Sequence, residues 1–313
     1  MRVSRSLSVT MVTTALAVAL AACGSTGAPQ SAPQISGSGQ QVEHTDDISA
    51  GVQPDPAAVK LLPEAVKAKG TLSVPMDLTS APTTFMATDN KTPIGFNPDM
   101  ARLIAAKLGV KLQINNVKFD TIIPGLQGGR FDFTASTMGA TAERLKVLDM
   151  INYFQNGTGV AVPKGNPQKL AVHELCGRRV GVQSGSTQEI KWLPQLSEKD
   201  CTSQGKPAIT GVTLPSVNDA LTQLSSKRLD AVMSDFTGLS WAAKRQPNVL
   251  EVLQERVVTT KVNVALPKGS PLTPAIQAAI QSIIDSPKYA EALDRWGFQG
   301  LGIETAAPAV PLG

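Results

Sequence analysis

Residues 95–136 read GFNPDMARLIAAKLGVKLQINNVKFDTIIPGLQGGRFDFTAS, and their periodicity decides the fold. Residues 98–108 put Met100, Ala101, Ile104 and Leu108 on one face at helical spacing, with Gly109 as a C-terminal stop. Residues 110–117 then alternate apolar and polar, the period of a strand. Residues 120–127 read as a short helix ending at Gly128-Gly129, and residues 131–136 return to a strand. Upstream, residues 71–76 (TLSVPM) supply one more strand. Strand, helix, strand, helix, strand in this order predicts an α/β lobe with a largely parallel sheet.

A second series of the same kind starts near Arg178. Residues 179–183 read as a strand, followed by Ser184-Gly185-Ser186-Thr187-Gln188-Glu189. Ser186 and Glu189 have capping-box spacing, so a helix is expected to begin there. Residues 217–226 form a helix carrying Leu221 and Leu224, and residues 231–233 a short buried strand ending at Ser234-Asp235. Two series predict two lobes. The extended segments 158–163 and 261–267, each followed by Lys-Gly, are natural crossovers between them. This assigns residues 58–160 plus 264–305 to lobe 1, residues 161–263 to lobe 2, and residues 306–313 to a tail. Thr273-Pro274 opens a helix bearing Ile276, Ile280, Ile283 and Ile284, and Ser286-Pro287 opens another bearing Leu293 and Trp296. Both are expected to pack on a core and to carry no chemistry.

The N-terminus has a different character. Arg2 and Arg5 precede an apolar stretch from about Val9 to Leu20. That stretch is too short to span a bilayer as a mature helix and reads as a secretory leader. Where a plain leader ends in small-x-small, Leu20-Ala21-Ala22-Cys23 delivers a cysteine. It resembles the bacterial lipobox, which implies a signal peptide of residues 1–22 and a Cys23 bearing acyl chains such as palmitate. Each buried methylene adds about 0.8 kcal/mol of membrane affinity. From Cys23 to about residue 57, Gly, Ser, Ala, Pro and Gln dominate, the composition of a flexible tether. The chain has three cysteines. With Cys23 acylated, Cys176 and Cys201 are left to pair in an oxidising compartment. The loop they close would contribute roughly 3 to 4 kcal/mol by the chain-entropy argument.

Charge and composition exclude other classes. The formal net charge is +4, and Arg2 and Arg5 supply two of those charges. There is no basic run of five residues, which argues against a nucleic-acid partner. His44 and His173 are the only histidines, neither has metal-ligand spacing, and both read as surface residues. No metal or other cofactor is expected. No internal repeat is visible.

Several segments carry a family resemblance. Gly95-Phe96-Asn97-Pro98-Asp99-Met100-Ala101 resembles the Gly-Phe-Asp-x-Asp-Leu-Ala signature of family 3 extracellular solute-binding proteins. Residues 119–130 (FDTIIPGLQGGR) match that family's Phe-Asp-x-x-Ile-Pro-x-Leu-x-x-Gly segment. Residues 137–144 (TMGATAER) look like its Gly-Met-Thr-x-Thr-x-Glu-Arg segment, and residues 180–187 and 230–235 match two segments of its second lobe. The resemblance runs in order through nearly the whole folded part. It implies a type II periplasmic-binding-protein fold, two α/β lobes joined by two hinge crossovers. It further implies an amino-acid receptor of an ABC importer, a monomer held on the outer face of the cell membrane, with a permease and ATPase complex as partner.

Carried over residue by residue, Arg144 would grip a ligand carboxylate with its planar fork. Ser136, Thr137 and the Gly139 backbone would serve the same group, with Ser186 and Thr187 at a helix N-terminus that favours an anion. Asp235 would take the ammonium. Phe119 would wall the side chain, and Asp77, Ser80 and Gln183 would read it. The chain departs from the family at Gly139, where Thr or Ser is usual, and at Ser80, where an aromatic often stands. Half of the aromatic clamp is therefore expected to be absent, which suits a larger or hydrogen-bonding ligand. Asn97, in place of Asp, is expected to be structural. Hinge closure, with lobe 2 folding over a solute bound to lobe 1, is the implied mechanism. Two alternatives use the same fold: a dehydratase of the arogenate or cyclohexadienyl type, with Asp77 as the extra cleft acid, and a ligand-sensing module.

Overall fold

The structure is a computed structural model that describes residues 43–313. The leader, Cys23 and the tether up to residue 42 lie outside the described residues. The folded part opens with α1 (Pro56–Lys60) and α2 (Glu64–Lys69). The Asp55 carboxylate accepts from the Ala57 N–H at 2.8 Å, and Pro56 sits where the helix needs no donor. Strand β1 (Thr71–Met76) follows, and β2 (Thr79–Ser80), β3 (Thr84–Met86) and β4 (Pro93–Ile94) form a small antiparallel meander.

Helix α3 (Phe96–Leu108) ends at Gly109, whose φ of 68° closes it in the left-handed region. Its start requires Gly95, because a Cβ there would lie 2.5 Å from the Thr83 carbonyl oxygen. Strand β5 (Lys111–Asn116) pairs in parallel with β1, Thr71 opposite Lys111. A 3-10 turn (Phe119–Thr121) leads into α4 (Ile122–Gln127), followed by β6 (Thr134–Met138) and α5 (Ala142–Val147).

The 16-residue strand β7 (Leu148–Pro163) leaves this lobe and enters the next. Lobe 2 holds β8 (Arg179–Gln183), α6 (Leu193–Asp200), β9 (Thr210–Leu214), α7 (Val217–Ser225), β10 (Ala231–Asp235), α8 (Phe236–Arg245) and β11 (Leu250–Val252). Strand β12 (Val258–Pro267) returns, and α9 (Thr273–Ile284) and α10 (Pro287–Arg295) pack on lobe 1. Core membership marks the division. Phe154 and Val262 belong to the cluster containing Phe96, Met100, Ile280 and Trp296, whereas Val160 belongs to one containing Val180, Trp192 and Met233. The Cys176–Cys201 disulfide is formed, with Cα atoms 5.5 Å apart.

Four expectations need correction. The sheet is mixed rather than largely parallel. Its order is β6-β12-β7-β10-β8-β9, and β12 runs antiparallel to β6 and β7, as β10 does to β7. Apolar strand periodicity is local and does not reveal the partner, and the two crossovers lie side by side. The tether does not reach residue 57. Ile48 is 1 % exposed, His44 meets the edge of Trp296, and Asp46 pairs with Arg295 at 2.8 Å. These few anchors were invisible in a polar average. The tail is not loose either: Ala306 is buried and Pro308 bridges to Ile151. Finally, the turn at Ser186 opens wide, as a π-type turn (Gln188–Trp192) running into α6. The Glu189 N–H donates to Ser186 Oγ, but the Glu189 carboxylate takes the Gly185 N–H instead of closing the box.

Candidate functional site

Strand ends converge on the crevice between the lobes, the usual place for ligands in α/β sheets. Asp77 follows β1, Ser136 and Thr137 lie toward the end of β6, Gln183 ends β8 and Asp235 ends β10. These five residues, with Ser80, Phe119, Ser186 and Thr187, line one cavity of about 210 Å³. Nine of the eleven residues singled out as ligand-binding from the sequence are thus brought together. Gly139 and Arg144 stand behind the wall.

Two carboxylates line the cavity. Asp77, 6 % exposed, accepts from Thr79 Oγ1 at 2.7 Å and from Gln183 Nε2, across the cleft, at 2.7 Å. Burial raises its pKa against those bonds. Asp235 accepts from Gln188 Nε2 at 3.0 Å. Its remaining accessible surface faces the cavity, and desolvation pushes its carboxyl up to about 7. Both acids therefore rest on neutral donors, a costly arrangement for buried negative charge.

A buried cation stands behind Thr187, the neighbour of the Gln188 that holds Asp235. Arg144 is 3 % exposed. One terminal nitrogen donates to the Gly139 carbonyl and to Thr187 Oγ1, both at 2.8 Å, and the other donates to the Gly185 carbonyl at 2.6 Å. Its Nε has no partner among the described residues. Desolvation lowers its pKa only to about 10, so the charge stays at neutral pH. This differs from the expected fork aimed at ligand. With lobe 2 close, Gly185 and Thr187 come within reach and take those donors, so Arg144 meets the cavity through Thr187. Gly139 makes the approach possible: a Cβ there would lie 2.8 Å from Thr187 Oγ1 and 3.0 Å from Leu312 Cδ1. The space that a hydroxyl-bearing side chain would fill is already taken.

Thr137 is held by a buried network. Its φ is 50°, uncommon for a β-branched residue. Tyr153 Oη accepts from the Thr137 N–H at 3.1 Å, and Asn97 Nδ2 donates to Thr137 Oγ1 at 3.0 Å and to Thr84 Oγ1 at 2.6 Å. Asn97 is fully buried behind the site, where the sequence reading put a structural residue. The lobes also meet through Ser184 Oγ on Asp120 at 3.0 Å and Asn218 Nδ2 on the Thr79 carbonyl at 2.9 Å.

Sequence reasoning missed Gln188, Asn218 and Trp241, which also line the cavity. Gln188 sits inside a segment already singled out, so its signal was present. Trp241 lies on α8, for which no motif spoke. It stands 5.9 Å from Phe85 of lobe 1, with Arg245 over its ring at 5.5 Å. His173 pairs with Asp200 at 2.6 Å, remote from the cavity lining. Among the described residues no group of three or more His, Cys, Asp or Glu could hold a metal ion, and no helix is long and apolar enough to cross a membrane.

Known proteins share this plan. An arginine-binding protein of Corynebacterium glutamicum is 28 % identical over 246 residues, covering 79 % of this chain and 80 % of its own length. An L-cystine-binding protein of Escherichia coli is 28 % identical over 255 residues, covering 80 % and 91 %. The solved structure of an ancestral arginine-binding protein bound to arginine superposes with a TM-score of 0.65 at 32 % identity, covering 72 % of this chain and 98 % of that one. The model of the bacterial extracellular solute-binding proteins, family 3, matches residues 72–299, which include Arg144 and every cavity-lining residue named above. By that match, and by the two-lobed architecture it shares with its relatives, this chain belongs to the bacterial extracellular solute-binding proteins, family 3.

Proposed function

We propose that this protein is the receptor of an amino-acid ABC importer, not an enzyme, and that its ligand is a polar amino acid carrying a second positive charge. The observation that carries the reading is the arrangement of charge: a buried guanidinium behind Thr187, a carboxylate (Asp235) held by the adjacent Gln188, and a second carboxylate (Asp77) held by Gln183, each bonded to neutral groups. A zwitterion with a cationic side chain complements all three. Its carboxylate would lie against Ser136, Thr137 and Thr187, with Arg144 supplying charge through Thr187. Its ammonium would meet Asp235. Its side-chain cation would meet Asp77, steered by Gln183 and flanked by Phe119. Arginine-binding relatives support the ligand class.

The rest of the proposal concerns delivery. The protein works as a monomer, and the crossovers β7 and β12 act as hinges, so that both sets of anchors engage only when the lobes meet. Acylation of Cys23 in the Leu-Ala-Ala-Cys motif would hold the protein on the outer face of the membrane, near its permease.

The test is a thermal-shift and calorimetry screen with L-arginine, L-lysine, L-ornithine, L-histidine, L-cystine and L-glutamine. A ligand that binds only the folded state raises the melting temperature by mass action. A shift with cationic amino acids above that with L-glutamine is expected. Binding confined to neutral amino acids would remove the Asp77 assignment. Turnover of prephenate or arogenate would replace the receptor reading by the dehydratase one.

A further inference from the structure

The segment 300–313 lies beyond the residues matched by the family, yet it ends beside the turn that receives Arg144. It is first bound to lobe 1. The Gln155 N–H donates to the Leu301 carbonyl at 2.9 Å and the Asn152 N–H to the Ala307 carbonyl at 3.0 Å, and the Ala309 N–H donates to the Met150 carbonyl at 2.8 Å. Gln277 and Gln281 of α9 clamp Ala306 from both sides at 2.9 Å. Ala309 packs on the lobe-1 cluster of Ile122, Met138 and Leu148. Val310 then projects outward, 77 % exposed. Two residues later the Leu312 N–H donates to the Ala140 carbonyl at 2.9 Å, next to Gly139.

The Leu312 side chain does something different from its backbone. It packs against the lobe-2 cluster of Val160, Trp192 and Met233, although everything fixing its main chain belongs to lobe 1. It also sits within 3.0 Å of a Cβ built at Gly139, on the position that Thr187 crowds from lobe 2. A lobe-1 segment that buries an apolar side chain on lobe 2 can do so only when the lobes are together. That burial adds to the free energy of closing. The same wedge backs the Gly139-Ala140 turn, whose Gly139 carbonyl receives Arg144.

We propose that residues 306–312 are a latch, with Leu312 as a positioning residue that favours lobe closure and keeps Gly139, Thr187 and Arg144 in register. The proposal rests on the hinge-closing reading of the cleft. Spin labels at K111C and R228C, both exposed and on different lobes, report closure directly in a C23S background. Without ligand, Leu312→Ala should lengthen the distance distribution relative to the wild type, while Val310→Ala, on the exposed side of the same segment, should not. With L-arginine as probe, Leu312→Ala should raise the dissociation rate about fivefold, the loss of a half-buried leucine contact. Association and the ligand-free melting temperature should stay near wild type. An unchanged distance distribution in Leu312→Ala, or an equal effect of Val310→Ala, overturns the latch. A wild type whose interlobe distance does not respond to any of the screened amino acids would instead overturn the hinge reading.

Discussion

The cation and the two carboxylates of the cleft are buried in opposite ways. Arg144 gives its donors to Gly139, Gly185 and Thr187 and keeps its proton, its pKa falling only to about 10. Asp77 and Asp235 rest on neutral donors, and burial raises both, Asp235 to about 7. The cationic anchor is therefore fixed, whereas the Asp235 carboxyl titrates. Anchoring of a ligand carboxylate should be insensitive to pH, whereas anchoring of the ammonium should depend on it. Arg144 also spans both lobes, so it links recognition to closure, as Gln183 does through Asp77.

The strongest blow to this contrast is Arg144→Ala. It removes the guanidinium that serves the ligand carboxylate together with two bonds that join the lobes. Affinity for L-arginine should fall by about 3 to 5 kcal/mol by calorimetry, with Arg144→Lys recovering only part. An affinity near wild type would show that Thr187 and Ser136 suffice without charge.

Asp235→Asn should cost about 2 to 4 kcal/mol and also flatten the pH profile. In the wild type the ammonium must displace the proton that burial keeps on Asp235. Below about 7 each pH unit should weaken binding by up to about tenfold, with a plateau above. The sign for stability is the reverse. Because the folded carboxyl titrates near 7 rather than near 3.8, the ligand-free protein should lose stability as pH rises through that window. A pH profile that survives Asp235→Asn would move the titrating group elsewhere.

Asp77→Asn sharpens the comparison between the two carboxylates. It should weaken L-arginine by about 1.5 to 3 kcal/mol and leave any L-glutamine binding within about twofold, since only the former places a cation there. Equal losses for both would make Asp77 a structural partner of Gln183. The smallest effect on binding should come from replacing Cys176 and Cys201 by serine. The melting temperature should drop with a loss of roughly 3 kcal/mol, while affinity stays within about twofold, because the bridge lies outside the cavity lining.

Much of the site was legible because strand ends are legible. A short apolar run closed by Ser234-Asp235, or a strand followed by Ser184-Gly185-Ser186-Thr187, announces where polar groups leave a sheet. Trp241 was not legible, because a tryptophan on an amphipathic helix reads equally well as core. Nor was the bearing of Leu312, an apolar residue in a stretch of Pro and Ala that looked like a tail.

Spacing along the chain was enough for the alternation of strands and helices, the two series that become two lobes, the capped helices, and the polar residues at the strand ends. Each of these follows from spacing within about ten residues. Packing between distant segments set the rest: the mixed sheet, the binding of residues 43–55 and 306–312 to lobe 1, the approach of Arg144 to the cavity through Thr187, and the desolvation of Asp77 and Asp235 on neutral partners. Those outcomes depend on which groups lobe 2 brings against lobe 1. Desolvation and counter-charge are properties of a packed surrounding drawn from distant parts of the chain, and local periodicity carries no information about them.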